Sequence, residues 1–274
     1  MKRYFSAILS GVLALSLLAG CGGSKPQAPA APAPAPAAEQ KAPESKTPTI
    51  DKIKKDGKLV IGTSPDYPPF ESLDKDNKVI GFDVDIMEAV AKKLGVKLEI
   101  VQINFDGLIA ALTAKKFDIM AAGVSVTDER KKTVDFSQPY LIGNDAILVH
   151  KDSGLKPAKL EDLKGKKVAA QLGTVQADAL KKVEGIEVKE YNLFTEAASA
   201  LAAKQVDAVY LHSVVAKSFA KANPVLTIGL EIKAEDTAYA LRKDTPDLTA
   251  FVNEVLTEME KNGEMEKLVQ KWFK

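Results

Sequence analysis

The residues of this sequence that are best suited to bind a small molecule follow its predicted strands, where ligands of open α/β sheets bind. Arg130 presents a planar cationic fork that suits a carboxylate. Thr174 is expected to begin a helix, where free backbone N–H groups favour an anion. The plainer interpretation of Arg130 is an exposed charge in the run 128–132, and that of Thr174 is an ordinary helix cap. Besides Arg130 and Thr174, nine residues of the predicted loops are expected to bind the ligand: Ser64, Tyr67, Phe105, Gly123, Ser125, Gln171, Val175, Gln176 and, after a further strand, His212. Asn104 and Gly173 belong to the same loops.

Charge and composition exclude several classes of function. The 274 residues include 38 Lys and Arg against 37 Asp and Glu, so there is no positive surplus for a nucleic acid backbone. The single cysteine, Cys21, excludes an internal disulfide and a cysteine-rich metal site, and His150 and His212 are the two histidines. P-loop, G-x-S-x-G and H-E-x-x-H motifs do not occur. We therefore expect a binding protein that is not an enzyme and holds no metal or cofactor.

The first 48 residues have the composition of an export signal and a tether. Lys2 and Arg3 precede an apolar run over 4–18, which is too short to span a membrane and is typical of a secretory signal. Residues 18–21, Leu-Ala-Gly-Cys, resemble the bacterial lipoprotein box, which implies a signal peptide over 1–20 and acylation of Cys21. A Pro/Ala-rich spacer over 21–48 would follow. The alternatives are an incidental cysteine behind an ordinary signal peptide and a Pro-rich ligand for another domain.

Strands and helices alternate in the folded part, from about residue 49. Apolar periodicity predicts strands over 58–62, 98–103 and 117–124. It predicts helices over 83–94, with Asp83 as N-cap, and over 106–116. This βαβ order indicates an α/β fold with parallel strands.

An internal repeat appears at an offset of 89 residues and favours two similar lobes. Six identities connect Phe105, Ala111, Leu112, Ala114, Lys115 and Asp118 with Phe194, Ala200, Leu201, Ala203, Lys204 and Asp207. We predict one lobe over 49–147 and 238–274, and the other over 148–237. The runs 146–150 and 237–242 are expected to cross between the lobes and act as the hinge, and closing helices are expected over 246–262 and 264–273.

Several motifs resemble the polar amino-acid-binding proteins of ABC importers. They are Gly62-Thr63-Ser64, Asp66-Tyr67-Pro68-Pro69-Phe70, Gly81-Phe82-Asp83-Val84-Asp85, Gly123-Val124-Ser125-Val126-Thr127, Glu129-Arg130, Val134-Asp135-Phe136-Ser137, Gly173-Thr174 and Trp272-Phe273. The resemblance covers 49–274 and implies two lobes that close on a free amino acid. It implies that Arg130 and the amides around Ser125 and Thr174 bind the α-carboxylate, and that Tyr67 and Phe105 flank the side chain.

One position departs from the pattern of this family. An acidic residue after the second-lobe strand commonly binds the ligand's α-amino group there, and His212 occupies that position here. A neutral imidazole would offer one acceptor to an ammonium, whereas a protonated one would repel it. We therefore expect amino-acid binding to weaken as the pH falls through about 6.5 if His212 lines the site, with Asp236 as the next candidate for the ammonium partner. The alternative is a buried structural histidine.

The sequence therefore predicts a lipid-anchored extracytoplasmic receptor that passes an amino acid to a membrane permease with a separate ATPase. Arginine or another basic amino acid is the first expected ligand and glutamine the second. The alternatives are a dehydratase-like enzyme on the same two-lobe scaffold and a sensor lobe, which would need a membrane span after residue 274.

Overall fold

The computed structural model describes residues 45–274 as a two-lobed α/β protein. The predicted signal peptide, Cys21 and nearly all of the predicted spacer lie outside these residues. The helices are α1 (Pro48–Asp56), α2 (Phe82–Leu94), α3 (Phe105–Thr113), α4 (Asp128–Thr133), α5 (Val175–Lys181), α6 (Phe194–Ala202), α7 (Ser213–Ala222), α8 (Pro246–Lys261) and α9 (Glu264–Phe273). The strands are β1 (Lys58–Thr63), β2 (Asp66–Tyr67), β3 (Glu71–Leu73), β4 (Val79–Ile80), β5 (Lys97–Gln102), β6 (Ile119–Met120), β7 (Asp135–Phe136), β8 (Asn144–His150), β9 (Lys167–Gln171), β10 (Glu187–Tyr191), β11 (Ala208–His212), β12 (Leu226–Lys233) and β13 (Ala240–Leu241).

Each lobe is built on its own five-stranded sheet. The first has the order β5-β1-β6-β13-β7 and the second the order β10-β9-β11-β8-β12. In both sheets three neighbouring strands are parallel, because β1 and β9 pair in parallel on both sides. The next strand, β13 or β8, is antiparallel to both of its neighbours. Leu59 and Ile61 of β1 are fully buried, so helices cover the sheet, as parallel sheets require. The predicted fold class is confirmed.

The 89-residue repeat is confirmed in detail. Helices α3 and α6 begin and end at positions 89 residues apart. Lys115 and Lys204, which follow these helices, have left-handed φ angles of 60° and 57°. The carboxylates of Asp118 and Asp207 accept a backbone N–H from the neighbouring strand, at 3.1 and 2.8 Å. Both lobes therefore repeat one helix-turn-strand unit.

Two element predictions need correction. Helix α2 begins at Phe82 and has Gly81 as its N-cap, so Asp83 lies within the first turn and caps nothing. Its buried carboxylate instead accepts from Gly123 N at 3.1 Å, Tyr140 Oη at 3.0 Å and Tyr239 Oη at 3.2 Å. Burial raises the pKa of Asp83 to about 7. The strand predicted over 117–124 is only the two-residue β6, because the chain then leaves the sheet.

The predicted hinge runs are also corrected. Strand β8 and strand β13 lie inside the two sheets, and the chain crosses between sheets in a first connector, 137–143, and a second connector, 234–239. The connectors bind each other: Tyr140 N donates to Thr237 O at 3.0 Å and Thr237 N donates to Leu141 O at 2.9 Å. The predicted lobe boundary between 147 and 148 falls inside β8, and that between 237 and 238 falls in the second connector.

The two connectors approach so closely that one position needs glycine. A Cβ atom on Gly143 would lie 1.7 Å from the carbonyl oxygen of Glu235. Gly143 N also donates to the Asp236 carboxylate at 3.0 Å. Asp236, the second sequence candidate for an ammonium partner, therefore binds the first connector. Along 45–274, none of the helices is long and apolar enough to cross a bilayer.

Candidate functional site

A small cavity lies between the lobes, where β1, β6, β9 and β11 reach their carboxyl ends. The space in it that can hold a water-sized molecule is about 10 Å³. Eleven residues line it: Tyr67, Phe105, Gly123, Ser125, Arg130, Gln171, Thr174, Val175, Gln176, Phe194 and His212. The structure thus brings together ten of the eleven binding residues predicted from the sequence, and both lobes contribute to the wall.

Ser64 and Phe194 are the two differences between the predicted and the observed lining. Ser64 is buried and donates to the Asp66 carboxylate at 2.8 Å, and it lines a separate depression beside Asn104. Phe194 was not predicted, although the repeat already paired it with Phe105. Its ring stacks on Tyr67 with the centroids 4.7 Å apart, so the cavity has an aromatic side.

Arg130 is the cation of the cavity. Its backbone N–H is bound by the Thr127 side chain at the start of α4, which fixes the residue in the loop after β6. The guanidinium donates to Ser125 O at 2.9 Å and to Gly173 O at 3.2 Å, and it lies 5.5 Å from the centre of the Phe105 ring. Burial lowers the pKa of Arg130, but a guanidinium stays charged in proteins. No carboxylate within 45–274 forms an ion pair with it.

The second lobe supplies a polar loop between β9 and α5. Thr174 caps α5 by accepting from Ala177 N at 3.2 Å, and its hydroxyl donates to Gln171 O at 2.7 Å. Thr174 is therefore the N-cap of α5, as the plainer interpretation has it, and anion binding at this helix start stays a prediction. Gly173, just before it, has a φ angle of +79°, and a Cβ atom there would lie 2.9 Å from Cα of Asp106 in the first lobe. The lobes can approach this closely only because residue 173 has no side chain.

Two buried carboxylates lie behind the cavity wall, each bound by a glutamine of the lining. Gln171 Nε2 donates to Asp66 at 3.1 Å, and Gln176 Nε2 donates to Asp145 at 2.9 Å. Burial raises the pKa of both carboxyl groups, that of Asp145 to about 6. The amide oxygens are the acceptors that these glutamines retain. The described lining itself contains no carboxylate.

His212 ends β11 and caps α7. Its Nδ1 accepts from Val214 N at 3.4 Å, while Nε2 is buried without a hydrogen-bond partner in the part of the chain described. Its backbone N–H donates to Tyr67 Oη at 3.0 Å across the lobes. Burial, followed by the charge of Lys217, lowers the pKa of His212 to about 4. The side chain is therefore neutral at ordinary pH, and its proton is on Nε2.

Two expectations for His212 change accordingly. Because Nδ1 already accepts from the backbone, the neutral ring has no acceptor left for an ammonium. The pH at which the ring gains a second proton also moves from about 6.5 to about 4. His212 does lie in the cavity lining, where the sequence predicted it.

The fold and this inter-lobe cavity define a solute-binding protein, and residues 59–274 match the bacterial extracellular solute-binding proteins, family 3. The chain belongs to this family. It is 41% identical over 223 residues to the arginine-binding extracellular protein ArtP of Bacillus subtilis, a match that covers 79% of this chain and 86% of ArtP.

Two solved structures show the same architecture. Holo ArgBP from T. maritima has a TM-score of 0.76 and 42% identity, over 82% of this chain and 100% of that one. The ancestral amino acid-binding protein AncCDT-1, described as a precursor of cyclohexadienyl dehydratase, has a TM-score of 0.79 and 41% identity, over 82% of this chain and 100% of that one. These similarities support the prediction of a binding protein of the amino-acid importer class.

Proposed function

We propose that this protein captures an amino acid between its two lobes and delivers it to the permease of an ABC importer. The observation that carries the proposal is Arg130, a half-buried cation of the cavity lining that forms no ion pair with a carboxylate of the described residues. The charge of Asp178 opposes, but does not cancel, the lowering of the Arg130 pKa by burial. A ligand carboxylate would supply the missing charge and the bidentate geometry that a guanidinium favours.

The identity of the amino acid has two candidates. ArtP is an arginine-binding protein by name, and a truncated form of ArgBP from T. maritima has been solved with arginine bound, which favours arginine, the ligand expected first. Glutamine is the second candidate, because the cavity wall is rich in neutral hydrogen-bonding groups. In both cases the rings of Tyr67, Phe105 and Phe194 would pack against the aliphatic part of the ligand side chain.

The location proposed for the protein is outside the cytoplasm, attached to the membrane by acylated Cys21. The family description, extracellular, supports the first part. The lipoprotein box in residues 18–21 supports the second. A dehydratase activity remains the alternative, and its support is the likeness to AncCDT-1, which is itself described as an amino acid-binding protein.

Calorimetric titration of the wild type and of Arg130→Ala with the twenty amino acids and cystine tests the proposal. We expect saturable binding of at least one polar amino acid to the wild type. Truncating one partner of a buried charge pair costs about 2 to 5 kcal/mol, so Arg130→Ala should bind that ligand at least about 30-fold more weakly. Absence of binding to every amino acid would contradict the proposed function, and an unchanged affinity of Arg130→Ala would contradict the role of Arg130.

A further inference from the structure

His212 lines the cavity, and its imidazole carries an N–H group and no free acceptor. Val214 N occupies Nδ1 at 3.4 Å, so the neutral ring carries its proton on Nε2. A doubly protonated ring carries a proton there as well. Nε2 therefore donates in both protonation states and cannot receive an ammonium or a guanidinium.

This N–H group lacks the partner that a buried donor needs. His212 is 3% exposed, and its Nε2 has no hydrogen-bond partner in the described part of the chain. Leaving a buried donor unpaired is costly. The Phe70 ring packs edge-to-face with the imidazole, the centroids 5.6 Å apart, and it offers at most a weak acceptor. A ligand oxygen in the cavity would satisfy the group fully.

The other polar groups of the cavity wall suit different parts of the ligand, some as hydrogen-bond donors and some as acceptors. Arg130 is committed by charge to a carboxylate. Gln171 Nε2 donates to Asp66 and to Asn192 O, and Gln176 Nε2 donates to Asp145, so both amide oxygens remain as acceptors. These oxygens suit a ligand ammonium, because the carboxylates behind them add a favourable field. His212 is then left to meet an additional acceptor of the ligand.

We propose that His212 donates a hydrogen bond to a side-chain oxygen of the ligand, so that the cavity selects amino acids with a side-chain carbonyl over arginine. This inference rests on the proposed function and names the ligand class of the same cavity. Arginine carries only donors on its side chain, whereas glutamine and citrulline carry an amide or ureido oxygen. The order of the two candidate ligands is therefore reversed, so that glutamine, which has a side-chain oxygen, comes before arginine.

Citrulline and arginine provide a matched pair of probes, since they have the same length and differ in the terminal oxygen and the charge. The variants His212→Asn and His212→Asp form a matched pair of proteins, because both residues cap helices well and have nearly the same size. Asn keeps a donor at position 212, whereas Asp offers only acceptors. Calorimetric titration of all three proteins with glutamine, citrulline and arginine gives the affinity ratios.

We expect the wild type to bind citrulline at least about tenfold more tightly than arginine, the scale of one unmade buried hydrogen bond. His212→Asn should retain this order and His212→Asp should reverse it. The proposal is overturned if the wild type prefers arginine, or if both variants give the same ratio, as expected for a ring that only packs on Phe70. Binding of arginine alone would contradict the proposal for His212 and leave the proposed function intact. Binding of no amino acid would contradict both the proposal for His212 and the proposed function.

Discussion

The neutral state of His212 couples the residue to acid unfolding. The pKa of its imidazole is lowered to about 4 in the folded protein by burial, whereas an unfolded histidine titrates near 6.5. Between these values the unfolded chain binds a proton that the folded chain does not. The stabilising contribution of His212 is therefore complete above about pH 6.5 and is lost as the pH falls toward 4.

This difference predicts the pH dependence of stability. From about pH 7 to about pH 4, the free energy of unfolding should fall by about 2 to 3 kcal/mol more for the wild type than for His212→Asn, which cannot titrate. Urea unfolding of both proteins at several pH values measures the difference. Parallel pH profiles would show that His212 is not buried as a neutral ring.

The same lowered pKa has a consequence for binding. Since the His212 ring stays neutral from pH 8 to 5.5, its titration should not change the ligand affinity in this pH range.

At the scale of residues, most of the cavity lining could be predicted from the sequence, but not which of its polar groups donate hydrogen bonds and which accept them. The residues at strand ends were predictable because parallel strands gather their carboxyl ends at one edge. Ser64 belongs to the same loop as Tyr67, yet it turns to Asp66. The protonation of His212 depends on Val214 N, a contact that exists only once α7 has formed. Such contacts are set by local backbone geometry and cannot be derived from residue type.

Among the structural elements, the turn between β9 and α5 limits how closely the lobes approach. The carbonyl of Gly173 accepts from Arg130, and an added Cβ would lie 2.9 Å from Asp106 Cα. Gly173→Ala should hold the lobes apart and weaken ligand binding. An overpacked contact costs about 1–3 kcal/mol, so we expect at least about fivefold weaker binding.

A matched control separates closure from backbone strain. Gly165, in the same lobe, has a left-handed φ of +76° and no atom within 4 Å of its added Cβ. Gly165→Ala should therefore carry a similar backbone penalty and leave the affinity at the wild-type value. Calorimetric titration of both variants, with thermal unfolding to confirm folding, checks this prediction. Equal affinities of the two variants would argue against a contact between the lobes at Gly173.

The elements themselves were largely predictable, and the errors have physical causes. Helices α8 and α9 could be located from Pro246 and Gly263, because proline favours a helix start and glycine a helix end. Asp83 resembled an N-cap by type, but its carboxylate joins Gly123 and the tyrosines of both connectors. The connectors were misplaced because β8 and β13 are as apolar as any core strand, and apolar patterning does not report which sheet a strand enters.

For the molecule as a whole, the repeat provides two similar lobes, and the two connectors provide a hinge between them. Two similar lobes are joined by chain segments that bind each other, so the segments can bend together without disrupting either core. The contacts across the cavity include the hydrogen bonds of Arg130 to Gly173, Gln171 to Asp66 and His212 to Tyr67. This arrangement favours opening and closing of the lobes around a bound solute.

Small-angle scattering, with and without the amino acid that binds most tightly in the calorimetric panel, tests the central claim most directly. If the protein captures its solute by closing two lobes, a saturating ligand should reduce the radius of gyration, and Gly173→Ala should show a smaller reduction than Gly165→Ala. Identical dimensions of the free and the ligand-saturated protein, at a concentration where calorimetry shows full occupancy, would contradict capture by closure.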